Sequence, residues 1–285
     1  MPDLPKIFDR ERIATHLRRR PQGRDDFVTA LVLEDLALRL GAVTRRFARA
    51  LILSPDASAM PKVARSAEGI FNFERASTIL GSSAAPLVEA EPLALPSRNH
   101  DLIVSIFDLQ IVDDVVGFLS RARAHLKGDG LFLAAAIGGD SLTELREAFL
   151  GADAELSGGA FARVAPFIPL SEGGGLLQRA GLALPVADVE THIVRYASPL
   201  SVMRELKALG ASNPLFDRPH KPATRQLIVK AGEAYEKLAS DPDGRVRATL
   251  EIVWLSGWAP HQSQQKPLQP GSAEISLTKV LGGKS

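Results

Sequence analysis

The stretch with the most bearing on chemistry covers residues 49–61, Arg-Ala-Leu-Ile-Leu-Ser-Pro-Asp-Ala-Ser-Ala-Met-Pro. Its apolar run at 50–53 predicts a buried strand. The polar residues that follow are expected to turn the chain and open a helix, the place where an α/β nucleotide-binding fold holds its ligand. A cofactor cradle there normally carries two or three glycines, which accept positive φ and bring backbone N–H groups against an anion. Ser54, Pro55, Asp56, Ala57 and Ser58 stand in their place. Holding a non-glycine residue at positive φ costs about 1–3 kcal/mol, Pro55 has no N–H to donate, and Asp56 repels an anionic group.

Other chemistries find little support. The six histidines, His16, His100, His125, His192, His220 and His261, are scattered without metal-ligand spacing, so no metal is expected. Only His261 draws interest, in Gly257-Trp258-Ala-Pro-His261-Gln-Ser263-Gln264, where Trp258 and His261 either line a substrate cleft or pin the chain end to the sheet. There is no Gly-x-Ser-x-Gly elbow, phosphate loop or paired-carboxylate signature. The absence of cysteine excludes disulfides, thiolate metal sites and a cysteine nucleophile. With 34 basic and 33 acidic side chains the net charge of +1 gives no pull toward nucleic acid or an anionic membrane. No apolar run approaches the roughly 20 residues of a membrane span, and the first residues lack the apolar core of a secretion signal. The cytoplasm is the expected compartment, with the inner-membrane surface as an alternative.

The elements that must position these residues alternate between strand and helix. A charged N-terminal helix is expected to lay Ile7, Phe8 and Leu17 on the body. A second, at 24–40, has Phe27, Ala30, Leu31 and Leu38 as its inner face and Gly41 as its cap. Strands follow at 50–53, 69–73 (ending at Glu74), 87–90 (ending at Glu91), 100–107 and 131–137. Asp113 and Asp114 cap a helix with Val115, Leu119, Ala122 and Leu126 inside. Ser141 and Glu144 have the spacing of a capping box, and 151–169 reads as a glycine-rich loop able to cover the ligand face. A helix near 175–180, a strand at 186–196, a helix from Ser198-Pro199 to Gly210, a helix at 223–239, and strands at 246–254 and 273–277 complete the chain. This order implies a doubly wound parallel sheet with its ligand at the strands' C-terminal ends.

Several strings resemble class I S-adenosylmethionine (SAM) methyltransferases, and among them the methyltransferase-like assembly factors of respiratory NADH:ubiquinone oxidoreductase (complex I). They are Ile7-Phe8-Asp9-Arg10, the run from Gly138 through Asp140 and Ser141 to Arg146, Leu177-Gln178-Arg179-Ala180-Gly181, Gly257-Trp258, His261, Ser263-Gln264, Pro267 and Gly271-Ser272-Ala273. The resemblance implies a Rossmann-like α/β sheet with a late antiparallel strand, extra N-terminal helices (1–45) before a methyltransferase-like domain (46–285), and a helical insertion at about 198–240. It implies SAM as ancestral cofactor and a protein subunit of complex I as partner or substrate. Members are credited with arginine hydroxylation as well as methyl transfer. Carried over by position, the first-strand acid falls on Ile52 and the cradle glycines on Ser54, Asp56 and Ser58, none of which keeps the pattern. Glu74 falls near the ribose-gripping acid, Glu91 beside the adenine, and Phe107-Asp108 at the substrate-facing end of the fourth strand, followed here by Gln110-Ile111. Asp140 and Arg146 divide between a helix start and substrate orientation. Two alternatives follow: a non-catalytic assembly protein, or an arginine hydroxylase on the same fold.

Overall fold

The computed structural model describes residues 5–265 apart from 22, 24, 96 and 220, so His220, Pro267 and the strand expected at 273–277 lie outside the described residues. Helix α1 (Arg10–Arg18) starts where the Asp9 carboxylate accepts the Arg12 N–H at 3.0 Å, and α2 (Phe27–Ala42) starts where Asp26 accepts that of Thr29. The inner face of α2 is Val32, Leu36 and Leu40, while Leu38 is exposed. The expected face was one step out of phase because α2 is apolar on most sides, and only packing chooses among its stripes. The helix also runs through Gly41 and is capped by Val43.

Seven strands form one sheet in the order β2-β3-β1-β4-β5-β7-β6. They are β1 (Ala50–Ser54), β2 (Val63–Ser66), β3 (Gly69–Ser77), β4 (His100–Ile106), β5 (Leu126–Ile137), β6 (Ala183–Tyr196) and β7 (Val246–Trp258). Strands β3, β1, β4 and β5 run parallel, and β7 lies antiparallel between β5 and β6. Helix α2 covers one face over a core that includes Ile52, Phe71, Phe73, Val104 and Trp254. On the other face α3 (Val115–His125) and α5 (Leu170–Arg179) cover Leu51, Leu53, Ile103, Phe132 and Val253. Arg39 of α2 clamps the far edge: it pairs with Asp35 and Asp188 and lies 4.6 Å over the Trp254 ring.

The first half departs from expectation. No helix follows β1; a single 3₁₀ turn at Ala57–Ala59 leads instead into β2, which forms an antiparallel hairpin with β3. The strand expected to end at Glu74 continues to Ser77, and the one expected at 87–90 is reduced to a bridge between Leu87 and Ser77.

The second half follows the expected order, with α4 (Thr143–Ser157), α6 (Pro199–Ala208) and α7 (Arg225–Ala239) packed over the end of β7. Helix α4 runs past Gly151, which shortens the expected loop to residues 158–169. The capping box at its start does not form. Ser141 Oγ exchanges bonds with the Glu251 backbone, the Glu144 carboxylate accepts the N–H and hydroxyl of Thr249, and Leu142 enters the helix at φ 55°. A strand partner more than a hundred residues away outcompetes the local motif, and it ties α4 to β7.

Replacing Glu144 by Ala therefore leaves the Thr249 donors unpaired and should lower stability by about 1–3 kcal/mol, read as a lower urea midpoint at unchanged slope. Asp140→Ala, at an exposed side chain beside it, should change stability by less than about 0.5 kcal/mol.

Candidate functional site

The ligand face of such a sheet lies at the C-terminal ends of its parallel strands, here Ser54 of β1, Ser77 of β3 and Ile106 of β4. Two segments of the chain cover this face. Beyond β3 the chain crosses the end of β1: Thr78 N–H donates to Ser54 O at 2.9 Å, and Ile79 and Leu80 N–H donate to Pro55 O at 3.1 and 2.8 Å. Ala57 N–H donates to Ser77 Oγ, and Asp56 caps the 3₁₀ turn through Ser58 while its other oxygen accepts Arg20 at 2.6 Å.

The N-terminal segment closes the remainder. Arg10 donates to Thr78 O at 2.6 Å, and Asp113 accepts the N–H groups of Ile7 and Phe8 at 3.0 Å each. Phe8, Ile13, Ile79, Ala165 and Leu215 form a satellite core above the strand ends. Ser54, Ala57, Ser77 and Thr78 are consequently buried.

At the end of β4, Phe107 is held at φ 66° with its N–H bonded to Ala135 O at 2.8 Å. The next residue, Asp108, is fully buried and accepts the hydroxyls of Thr78 at 2.5 Å and Ser105 at 2.7 Å. Burial pushes its carboxyl up to about 6, against the pull of those two hydroxyls and the Arg10 charge.

The other expected site residues are dispersed. Glu74 sits in mid-strand opposite Leu51 and lines a cavity on the sheet face. Glu91 accepts Asp113 N–H at 2.8 Å and lies 3.7 Å from Arg121, at the start of α3. Asp140 and Arg146 belong to the α4 start: the backbone N–H of Asp140 donates to Glu251, and Arg146 to Ser141 O. Trp258 and His261 lie at the opposite end of the sheet, where Trp258 pairs with Leu131 under Arg45 and His261 bonds Ser263. Gln264 fixes that end to Asp129 at 3.0 Å. Thus Ser54, Asp56, Phe107 and Asp108 come together, whereas Trp258 and His261 do not join them. Sequence reasoning missed Thr78, Ser105, Arg10 and Arg20; of these Arg10 alone stood in a string that carries the family resemblance. Among the described residues no group of three or more His, Asp or Glu side chains is placed to hold a metal.

The strand order and the antiparallel β7 define the fold of class I methyltransferases, whose cofactor is SAM. The fold is thus that of a Rossmann-like methyltransferase sheet, and the chain is similar in sequence to proteins of two kinds. It is 35% identical over 192 residues to the mitochondrial arginine-hydroxylase NDUFAF5 of Dictyostelium discoideum, covering 67% of this chain and 44% of that protein. It is 33% identical over 194 residues to the Danio rerio protein of the same name, covering 68% and 60%. A malonyl-(acyl-carrier protein) O-methyltransferase of Laribacter hongkongensis is 37% identical over 183 residues, covering 64% and 59%. The chain thus spans less than two thirds of the length of each of these relatives. No protein-family model matches it.

Because Asp108 holds its proton more tightly folded than unfolded, it adds most to stability below about pH 4, and that contribution is lost as pH rises to about 6. The loss is on the order of 3 kcal/mol for a shift of about two pH units. Urea titrations between pH 4 and 7 should show this slope in the wild type, and Asp108→Asn should remove it.

Proposed function

We propose that the chain acts on, or assembles, a protein subunit of respiratory complex I, and that it does so without SAM. The observation behind this reading is the covered ligand face. The β1 loop spends its carbonyls on Thr78, Ile79 and Leu80 and its one carboxylate on Arg20, so these groups hold the chain's own segments. No α-helix follows β1 directly, which removes the dipole and free N–H groups that such a helix would offer an anion. Glu74 and Glu91, the acids at the ribose and adenine positions, point to a cavity and to α3 instead. The residues present do not fit the cofactor. The extra N-terminal helices are then the cover of the methyltransferase-like domain, and among the described residues no helix is long and apolar enough to cross a membrane.

The kinship with proteins named arginine hydroxylases favours a second reading, hydroxylation of an arginine in the same partner. Mass spectrometry of complex I subunits from cells with and without the gene separates the readings. An added oxygen lost on deletion supports the hydroxylase, an added methyl supports SAM chemistry, and impaired complex I assembly with neither supports the assembly role. Normal assembly after deletion would count against the first reading.

Calorimetric and thermal-shift titrations with SAM to millimolar concentration should show no stabilisation; a ligand bound a hundredfold above its Kd would add about 2.7 kcal/mol. Micromolar binding would sink the SAM-free reading. Glycines at Ser54, Asp56 and Ser58 together should bring no gain in SAM affinity, because the missing helix and the cover remain.

A further inference from the structure

Strand β2 pairs with β3 only over Gly69 to Asn72, and the chain rejoins β3 at the Leu87–Ser77 bridge. Phe73 N–H still donates to Lys62 O at 2.9 Å, and beyond it residues 74–76 carry no paired strand on that side. The connection from β3 to β4, residues 78–99, forms no helix among its described residues, so a loop faces the outer part of the sheet over β3. Under that loop lies a cavity of about 500 Å³, walled by Leu51, Ala76, Val88 and Leu95, with Glu74 on one side and His100 on its floor.

We propose that this cavity binds an organic cation, an ammonium or amidinium group on an apolar stem, with Glu74 as its counter-ion. Glu74 is exposed toward the opening, and among the described residues it takes part in no ion pair. Its neighbour on the same face, Asn72, adds a polar amide. Two cations also border the cavity, and neither occupies it as a binding charge. The Arg75 guanidinium donates to the carbonyls of Ser58, Met60 and Ala84, which closes the edge. Lys62 is exposed at the mouth, where solvent and salt screen it. His100 is 1% exposed, shares a 3.0 Å bond with Ser97 Oγ, and has no hydrogen-bond partner at Nδ1. Burial lowers its proton affinity, with the Glu74 charge pulling the other way, which favours the neutral ring beside the ligand. The apolar walls accept the stem, and a pocket of this size suits a small molecule or one long side chain.

The cation can come from a free amine or from a basic side chain of a protein segment that reaches into the cavity. The site lies on the sheet face, away from the covered strand ends, so its fate and that of the SAM-free reading are separate. The test is ¹⁵N NMR titration of the full chain with phenethylammonium, phenylacetate, and the acetylated and amidated pentapeptide Val-Ile-Lys-Ile-Val. Phenethylammonium or the pentapeptide should shift the amides of Leu51, Glu74, Ala76 and Val88, and Glu74→Gln should weaken that binding roughly tenfold, about 1.4 kcal/mol. Lys62→Ala, at a screened charge, should change it by less than about twofold. Tighter binding of the pentapeptide supports the site with a protein side chain as source, and tighter binding of the free amine supports it with a small molecule. Equal binding of phenylacetate, affinity unchanged in Glu74→Gln, or no shift at these amides with either cation would overturn the proposal. Glu74 is exposed and unpaired, so the variant should keep its fold, which its amide spectrum reports directly.

Discussion

The length of the link between β1 and β2 constrains the rest of the molecule. Residues 55–62 are all that separate Ser54 from Val63. A parallel crossover needs a dozen residues or more, usually with a helix, and eight cannot supply one. The next strand therefore has to lie at the edge and run antiparallel, and β2 does so. The sheet recovers its parallel order only because the β2–β3 hairpin turns the chain back, so that β3 enters beside β1 in the expected direction.

Losing that helix decides what becomes of the strand ends. In a doubly wound sheet the helix after β1 brings free N–H groups and a positive dipole end to the ligand. Without it, the Ser54 and Pro55 carbonyls need other partners, and the chain after β3 supplies them through Thr78, Ile79 and Leu80. That crossing draws Thr78 over the end of β4, where its hydroxyl meets Asp108. The left-handed turn at Phe107 and the buried carboxyl of Asp108 then belong to one arrangement, closed from above by Arg10. The strand ends form a packed joint between the sheet and the N-terminal segment.

The elements legible in the sequence were those whose signals are local. Ser198, Pro199 and Gly210 mark α6 because cap, first-turn proline and terminal glycine act within one helix. The apolar run of β4 is unambiguous because both of its faces are buried. The failures share a non-local cause. Ser141 and Glu144 have capping-box spacing, yet Glu251 and Thr249 on β7 claim both side chains. Strand β2 is four residues long with Arg65 on its exposed side, so neither length nor alternation marks it. Asp108 reads as a polar residue at a strand end, and only the crossing of Thr78 buries it. The substituted glycine positions were visible; the missing helix was not, because a polar loop of that composition can open one.

The two halves of the sheet now do different work. Strands β4, β5 and β7 are each paired on both sides, with Arg39, Glu144 and Gln264 tying helices and the segment after β7 to the sheet. From β2 to β1 the sheet is thinner: one edge is short, one connection has no helix, and Glu74 faces an open cavity. If the cofactor face were the functional centre, the polar groups around it would be free and those elsewhere satisfied. The reverse distribution holds among the acids singled out by position, since Asp56, Glu91 and Asp108 are engaged and Glu74 is not. An exposed carboxylate beside an open, partly apolar cavity is where a cationic molecule gains most by binding.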